Sequence, residues 1–320
     1  MRTTCFALED TSLLAEICGV NDYNLKVLSR AVGSEVFCRG NELYVETATD
    51  GDGALFLKLL DELVASAEEG LKPTPDLILA IASALTPEGD LSRDGMAEFR
   101  DTWVQVPGGY GKVYARGKGQ AAMLREMQTK ELVFAVGPAG TGKTFLAVAW
   151  ALREVLSKAK RKLVITRPVV EAGESLGFLP GDLEQKIGPY LRPVYDAMES
   201  IVPYETLKRL EDARSIEVAP LAYMRGRSLN NCCVILDEAQ NATKEQMKMF
   251  LTRLGEGSKA IVTGDDTQVD LPRKTDSGLI HAIGLLSSTE GVSVCRLESR
   301  DVVRSPLVKR IIEAYEIESR

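Results

Sequence analysis

Residues 137–144 read Gly-Pro-Ala-Gly-Thr-Gly-Lys-Thr and stand between the apolar run Leu132–Val136 and a stretch with helical spacing that reaches Trp150. This G-x-x-x-x-G-K-[ST] pattern, with a buried strand before it and a helix after it, limits the chain more than any other feature. Glycines let consecutive backbone N–H groups converge without an intervening Cβ, and the following helix offers the positive end of its dipole. The spacing therefore predicts a cradle for the β- and γ-phosphates of a nucleotide, made by Gly137, Pro138, Ala139, Gly140, Thr141 and Gly142. Lys143 should reach the β/γ oxygens, and the Thr144 hydroxyl should hold Mg²⁺.

The surrounding pattern fits such a cradle. Five runs, "LVFAV", "KLVIT", "CCVIL", "AIVTG" and "VSVCRL", are short, β-branched and apolar on both faces, as strands of a parallel sheet covered by helices must be. The third run ends in Asp237-Glu238. An acid at the carboxyl end of a parallel strand lies beside the phosphate loop, so Asp237 is suited to hold Mg²⁺ and Glu238 to orient or deprotonate an attacking water. That pairing favours hydrolysis of the bound nucleotide over its storage.

The first third of the chain differs in composition. Residues 1–110 hold 8 basic and 19 acidic side chains, a net charge of −11, whereas residues 111–320 hold 31 and 27, a net charge of +4. A polyanionic partner should thus meet the later part first. Period-two and helical spacings give the order β-α-α-β-β-α over residues 1–70, with a hairpin turning at Gly40-Asn41. That order resembles a KH domain, a small RNA-binding module with a G-x-x-G loop between its central helices. Here the loop reads Gly19-Val20-Asn21-Asp22, and the aspartate would set a negative charge toward phosphate. Residues 71–115, with a helix starting near Pro75 and a glycine-rich "VPGGYGKVYARGKG", read as a connector, and 116–320 as the nucleotide-binding domain.

Neither an export signal nor a run of about 18 apolar residues is present, so the expectation is a cytoplasmic protein with no membrane partner. Six cysteines without a C-x-x-C pair, and one histidine, His281, make a zinc site improbable; Cys232, Cys233 and Cys295 fall in predicted strands as small apolar residues, and His281 in a predicted helix.

The phosphate loop, "VILDEAQNAT" and "TGDDTQ", in this order, resemble the PhoH family of ATPases, whose core is similar to the first motor domain of superfamily 1 helicases. The likeness covers roughly residues 116–318, and the N-terminal module looks like the PhoH-like branch. It implies an α/β fold: a single RecA-like P-loop core with a mostly parallel sheet, preceded by a small KH-like α+β domain. It implies ATP and Mg²⁺ as ligands, hydrolysis of ATP, and single-stranded RNA as the polyanion to be bound, remodelled or unwound.

Carried over residue by residue, Gln268 would sense the γ-phosphate or its attacking water, and Gln120 would read adenine. Arg304, ahead of a helix capped by Ser305-Pro306, would stabilise charge on the transferring phosphoryl group, with Arg300 as the competing position. The family commonly carries histidine where Ser305 stands. Arg167, Lys186 and Arg192 could meet phosphates, and Arg225 and Arg227 could meet RNA or a neighbouring subunit. Because one motor core fits into the residues after 115, the arginine should act in trans across a heterologous interface of a homo-oligomer, expected as a ring of six. The rival readings are an ATP-switched RNA-binding module and an ATPase that regulates a protein partner such as an endoribonuclease, in both cases without unwinding.

Overall fold

The computed structural model describes residues 2–8, 10–47, 50–85, 102–168, 183–273 and 276–302. The chain divides into two compact units, one of residues 1–103 and 114–121 and the other of 104–113 and 122–320.

In the first unit the order is β1 (Arg2–Ala7), α1 (Thr11–Cys18), α2 (Tyr23–Val32), β2 (Val36–Arg39), β3 (Glu42–Thr47), α3 (Asp50–Glu68) and α4 (Pro75–Leu85). The strands form an antiparallel sheet β1-β3-β2, with Arg39 opposite Glu42 across the tight turn at Gly40-Asn41. On β3, Leu43, Val45 and Thr47 alternate inward, the pattern of a sheet with one covered face. On α3, Phe56, Leu59, Leu60 and Leu63 form one fully buried stripe, so side chains spaced three and four apart share the inner face. Helix α4 lies in the segment expected as a connector, yet it is part of this core. Leu77, Ile78 and Ile81 are buried, and the Asn24 side-chain amide donates to the Pro73 carbonyl at 2.7 Å, tying α2 to the residues just before α4. In the Gly19–Asp22 loop, Asn21 and Asp22 both take left-handed backbone (φ 52° and 56°), a conformation that Asn and Asp tolerate better than other non-glycine residues.

The second unit is a three-layer α/β structure. Its strands are β6 (Leu132–Val136), β7 (Lys162–Arg167), β8 (Ile216–Pro220), β9 (Cys232–Leu236), β10 (Lys259–Gly264) and β11 (Val292–Arg296). The sheet order is β11-β6-β10-β9-β7-β8 and every pairing is parallel. The short strands β4 (Trp103–Gln105) and β5 (Lys112–Tyr114) pair separately around the glycine-rich loop. The helices after β5 are α5 (Lys118–Thr129), α6 (Lys143–Leu156), α7 (Leu183–Glu199), α8 (Tyr204–Asp212), α9 (Lys244–Leu251) and α10 (Gly278–Leu286). Counted from the strand that feeds the phosphate loop, the order is 6-1-5-4-2-3; with the edge strand β8 set aside it becomes 5-1-4-3-2, that of a single RecA-like P-loop core. β10 separates the loop strand β6 from the acid-bearing β9, and the carboxyl ends of all three open on one edge.

All five strands expected from the apolar runs are present, because β6 and β9 are buried along their whole length and β10 nearly so. The sixth, β8, gave no such signal. It is an edge strand of five residues with a glutamate in it and a proline at its end, features that weaken a strand pattern without preventing pairing at an edge. Cys232, Cys233 and Cys295 are buried free thiols, while His281, on α10, is exposed.

Glu217 on β8 accepts from both Arg227 guanidinium NH₂ groups, at 2.6 and 2.9 Å, and from the Lys162 ammonium at 2.5 Å. The Arg227 hydrogen bonds above all, then Lys162, hold its carboxyl down at about 2. A carboxyl depressed by folding contributes stability that is present above its unfolded value near 4.5 and lost as pH falls from there toward about 2. Glu217→Gln should therefore lower the urea midpoint at pH 7, and the gap from wild type should narrow through pH 4 and 3; a gap independent of pH would contradict this account.

Candidate functional site

The phosphate loop begins where β6 ends, and its first residue is welded to the strands on either side. The Gly137 amide donates to the Gly264 carbonyl of β10 at 3.1 Å, and Leu297, just past β11, donates to the Val136 carbonyl at 2.8 Å. A Cβ at Gly137 would come within 2.3 Å of the Leu297 carbonyl oxygen, so only glycine fits between them. Gly142, at φ 79°, then turns the chain into α6 in a backbone conformation that costs glycine nothing.

Lys143 opens α6 and is 92% buried, its relative exposure being 8%. Its ammonium uses all three donors on the loop itself: the Gly137 carbonyl at 2.6 Å, the Pro138 carbonyl at 2.7 Å and the Thr141 hydroxyl at 3.2 Å. Burial pulls its pKa below the ordinary lysine value, and the negative charges of Asp265, Glu238, Asp237 and Asp266, in that order, push it back. The loop therefore folds around its own cation.

At the end of β9, Asp237 is buried, and its Oδ1 accepts two hydroxyls, from Thr144 at 2.7 Å and from Thr263 at 2.6 Å. The bond from Thr144 closes the loop onto the acid across 93 residues of chain. Glu238 follows in left-handed backbone at φ 51°, a strained state for a non-glycine residue and one that clusters at functional sites. Its carboxylate meets Arg167 at 3.1 Å and accepts the Gln240 side-chain amide at 2.6 Å. Gln240 is buried, and its own carbonyl oxygen accepts the Asp265 backbone amide at 3.0 Å. One amide side chain thus ties the end of β9 to the end of β10.

The turn after β10 is folded by Asp265, whose Oδ1 accepts the Thr267 amide at 2.9 Å and the Thr267 hydroxyl at 2.5 Å. The Gln268 amide donates to the Asp265 carbonyl at 3.2 Å, which sets Gln268 at the rim. Together these elements enclose a cavity of about 250 Å³ lined by Ala139, Gly140, Gly142, Lys143 and Thr144 of the loop, by Asp237 and Glu238, and by Gly264, Asp265 and Gln268. Loop glycines, a buried ammonium, hydroxyl and carboxylate oxygens suit a phosphate chain and a hard divalent cation.

The remaining sequence-predicted residues divide as follows. Gln120 is buried in the first unit, and its carbonyl oxygen accepts the Arg116 amide at 2.7 Å. Arg300 lies in the short turn Ser299–Asp301, and Arg304, with Ser305, lies outside the described residues, as does the side chain of Lys186. Arg192 pairs with Asp196 at 2.7 Å on its own helix, and Arg227 is engaged by Glu217, a role that neither of its expected ones included. Arg225 is exposed. Thr263, Gln240 and Asp265 were missed, although each sits inside a quoted motif; a hydroxyl, an amide and an acid near the ends of β9 and β10 were the available signal.

A family model described as PhoH-like protein matches residues 112–316. The chain is 45% identical to a PhoH-like protein of Bacillus subtilis (strain 168) over 302 residues, 93% of this chain and 92% of that one. The chain belongs to the PhoH-like family. Protein PhoH of Escherichia coli (strain K12) is 43% identical over 236 residues, 73% of this chain and 64% of that one. Among solved structures, the crystal structure of Pif1 helicase from Candida albicans matches 62% of this chain and 42% of that one at 16% identity and a TM-score of 0.33, too loose a superposition to support an argument. Membership of the family and a P-loop core support an ATPase, with a nucleotide as its ligand. No helix among the described residues of this PhoH-like chain is long and apolar enough to cross a membrane.

Gly137→Ala should cost the PhoH-like chain about 1–3 kcal/mol through the clash with Leu297 and weaken nucleotide binding as the loop shifts. A thermal melt and a fluorescent-nucleotide titration test this, and a variant with wild-type melting and affinity would contradict the packing argument.

Proposed function

We propose that the protein hydrolyses ATP with Mg²⁺ and couples turnover to binding or remodelling of single-stranded RNA. The observation that supports hydrolysis best is the meeting of the phosphate loop with two acids in one cavity, fixed by the 2.7 Å bond from Thr144 to Asp237. Thr144 and Asp237 are the residues that would hold Mg²⁺, which when bound neutralises charge on the β- and γ-phosphate oxygens. Lys143 exchanges one of its carbonyl partners for a phosphate oxygen. Glu238, oriented by Arg167 and Gln240, positions the attacking water or accepts its proton, and Gln268 at the cavity rim senses the terminal phosphate.

Two features support RNA as the partner: the basic excess of residues 111–320 and exposed Arg225. Arg304 or Arg300 completes the site from a neighbouring subunit of a homo-oligomeric ring, a contribution of about 10³ to 10⁵ in rate where such an arginine is used. A second reading, an ATPase that answers to a protein partner such as an endoribonuclease, is favoured by Asp22 in the Gly19–Asp22 loop and by the net −11 of residues 1–110, both of which repel phosphate.

The deciding measurement is ATP turnover with and without single-stranded RNA across a salt series, on wild type and Lys143→Ala. Turnover should be stimulated by RNA at low salt, fall back as salt rises because phosphate contacts release counterions, and drop by about 10²-fold or more in Lys143→Ala. Turnover indifferent to RNA at every salt concentration would favour the protein-partner reading, and no turnover at all would sink both.

In the same preparations, specific activity should rise with protein concentration as subunits associate. A monomer by sedimentation with a constant specific activity would refute the arginine in trans.

A further inference from the structure

The segment that follows β10 is held at both of its ends by one short turn. Asp265 and Asp270 bracket Gln268, which lines the cavity. Gln268 is exposed, and its side chain makes no hydrogen bond among the described residues. Its place at the cavity therefore depends on where its backbone is set.

Two consecutive residues of the turn Ala239–Asn241, directly after the acid pair, set that backbone. At the near end the Gln240 side-chain oxygen accepts the Asp265 amide at 3.0 Å, and the Gln268 amide donates to the Asp265 carbonyl at 3.2 Å. At the far end Asn241 makes a two-point clamp. Its Oδ1 accepts the Asp270 amide at 2.8 Å, and its Nδ2 donates to Asp270 Oδ2 at 3.0 Å. Asn241 is buried, whereas Asp270 is exposed. A buried amide that spends a donor and an acceptor on one exposed residue fixes both the position and the orientation of that residue. The Asn241 backbone amide also donates to the Glu238 carbonyl at 3.0 Å, so the water-orienting acid and the loop that carries Gln268 hang from the same turn.

We propose that Asn241 is a positioning residue for hydrolysis: by clamping Asp270 it holds the chain between Asp265 and Asp270 so that Gln268 faces the terminal phosphate. This rests on the hydrolytic reading and on the role given there to Gln268. Asn241 acts through Gln268 and touches neither the nucleotide nor the attacking water.

The test exchanges the two members of the clamp. Asn241→Asp removes the donor and sets two carboxylates face to face, whereas Asp270→Asn alone keeps an acceptor for Asn241. The double exchange, Asn241→Asp with Asp270→Asn, restores both bonds with donor and acceptor reversed. Turnover should fall about 10-fold in Asn241→Asp, because a small misplacement of an orienting group is costly. Affinity for a fluorescent ATP analogue with Mg²⁺ should stay within about three-fold of wild type. The double exchange should bring turnover back to within about three-fold. In a Gln268→Ala background, already slow, Asn241→Asp should cost nothing further, which damage spread over the whole fold would not obey. Should Asn241→Asp not fold, Asp270→Ala, at the exposed end of the clamp, carries the same comparison.

Turnover of Asn241→Asp within about three-fold of wild type, or a loss that persists undiminished in the Gln268→Ala background, would overturn the assignment while leaving hydrolysis intact. Failure of the double exchange to recover turnover would overturn it too, as would a Gln268→Ala protein as active as wild type. A wild type that binds the analogue but never turns ATP over would remove both the assignment and the hydrolytic reading beneath it.

Discussion

The organising constraint of this molecule is a buried ammonium. Lys143 is taken out of water at the start of a helix, where the dipole already disfavours a cation, and three oxygens of its own loop must hold it there. Everything around it can be understood as what makes that arrangement tolerable. Asp265, Glu238, Asp237 and Asp266 supply the compensating field. They can do so because three parallel strands end on one edge of the sheet. The parallel topology is thus the means by which acids from distant parts of the chain surround one cation.

The sheet order adds a second layer. Since β10 separates β6 from β9, the loop and the acid pair do not sit on adjacent strands, and hydrogen bonds at the strand ends must bridge the gap. Thr144 and Thr263 converge on one oxygen of Asp237, and Gln240 spans from Glu238 to the backbone of Asp265. These side chains join the strand ends into a single polar network in which Asp237, Gln240, Thr263 and Asp265 are buried. Buried polar networks of this kind fix geometry tightly because any unpaired member is costly.

The sequence exposed much of this in advance, and where it was silent the cause is physical. Strands buried on both faces announce themselves as short β-branched runs, so β6, β7, β9 and β10 were legible; β11, at the other edge and mostly half-buried, was legible from its alternating valines alone. β8 has one open edge, so it tolerates Glu217 and ends in Pro220 without an apolar run. Helix α4 was legible as a helix, but its place within the first unit depends on contacts such as Asn24 to Pro73, which span 49 residues and leave no local trace. In the site, motif spacing pointed to Lys143, Thr144, Asp237 and Glu238 and the family resemblance to Gln268, and the fold brings all five to one cavity. Gln240 and Asp265 serve those residues through one another, and spacing along the chain holds no record of such side-chain bridges.

The seam between Gly137 and Leu297 has a mechanical implication. Because the carbonyl of Leu297 sits where a side chain on Gly137 would be, and its amide grips Val136, the stretch running on from β11 is moored to the mouth of the phosphate loop. Between Arg296, the last residue of β11, and Asp301 only a few residues separate this mooring from the end of the short turn. Any displacement of the segment Leu297–Val302 is therefore felt where the phosphate loop begins, without passing through the sheet.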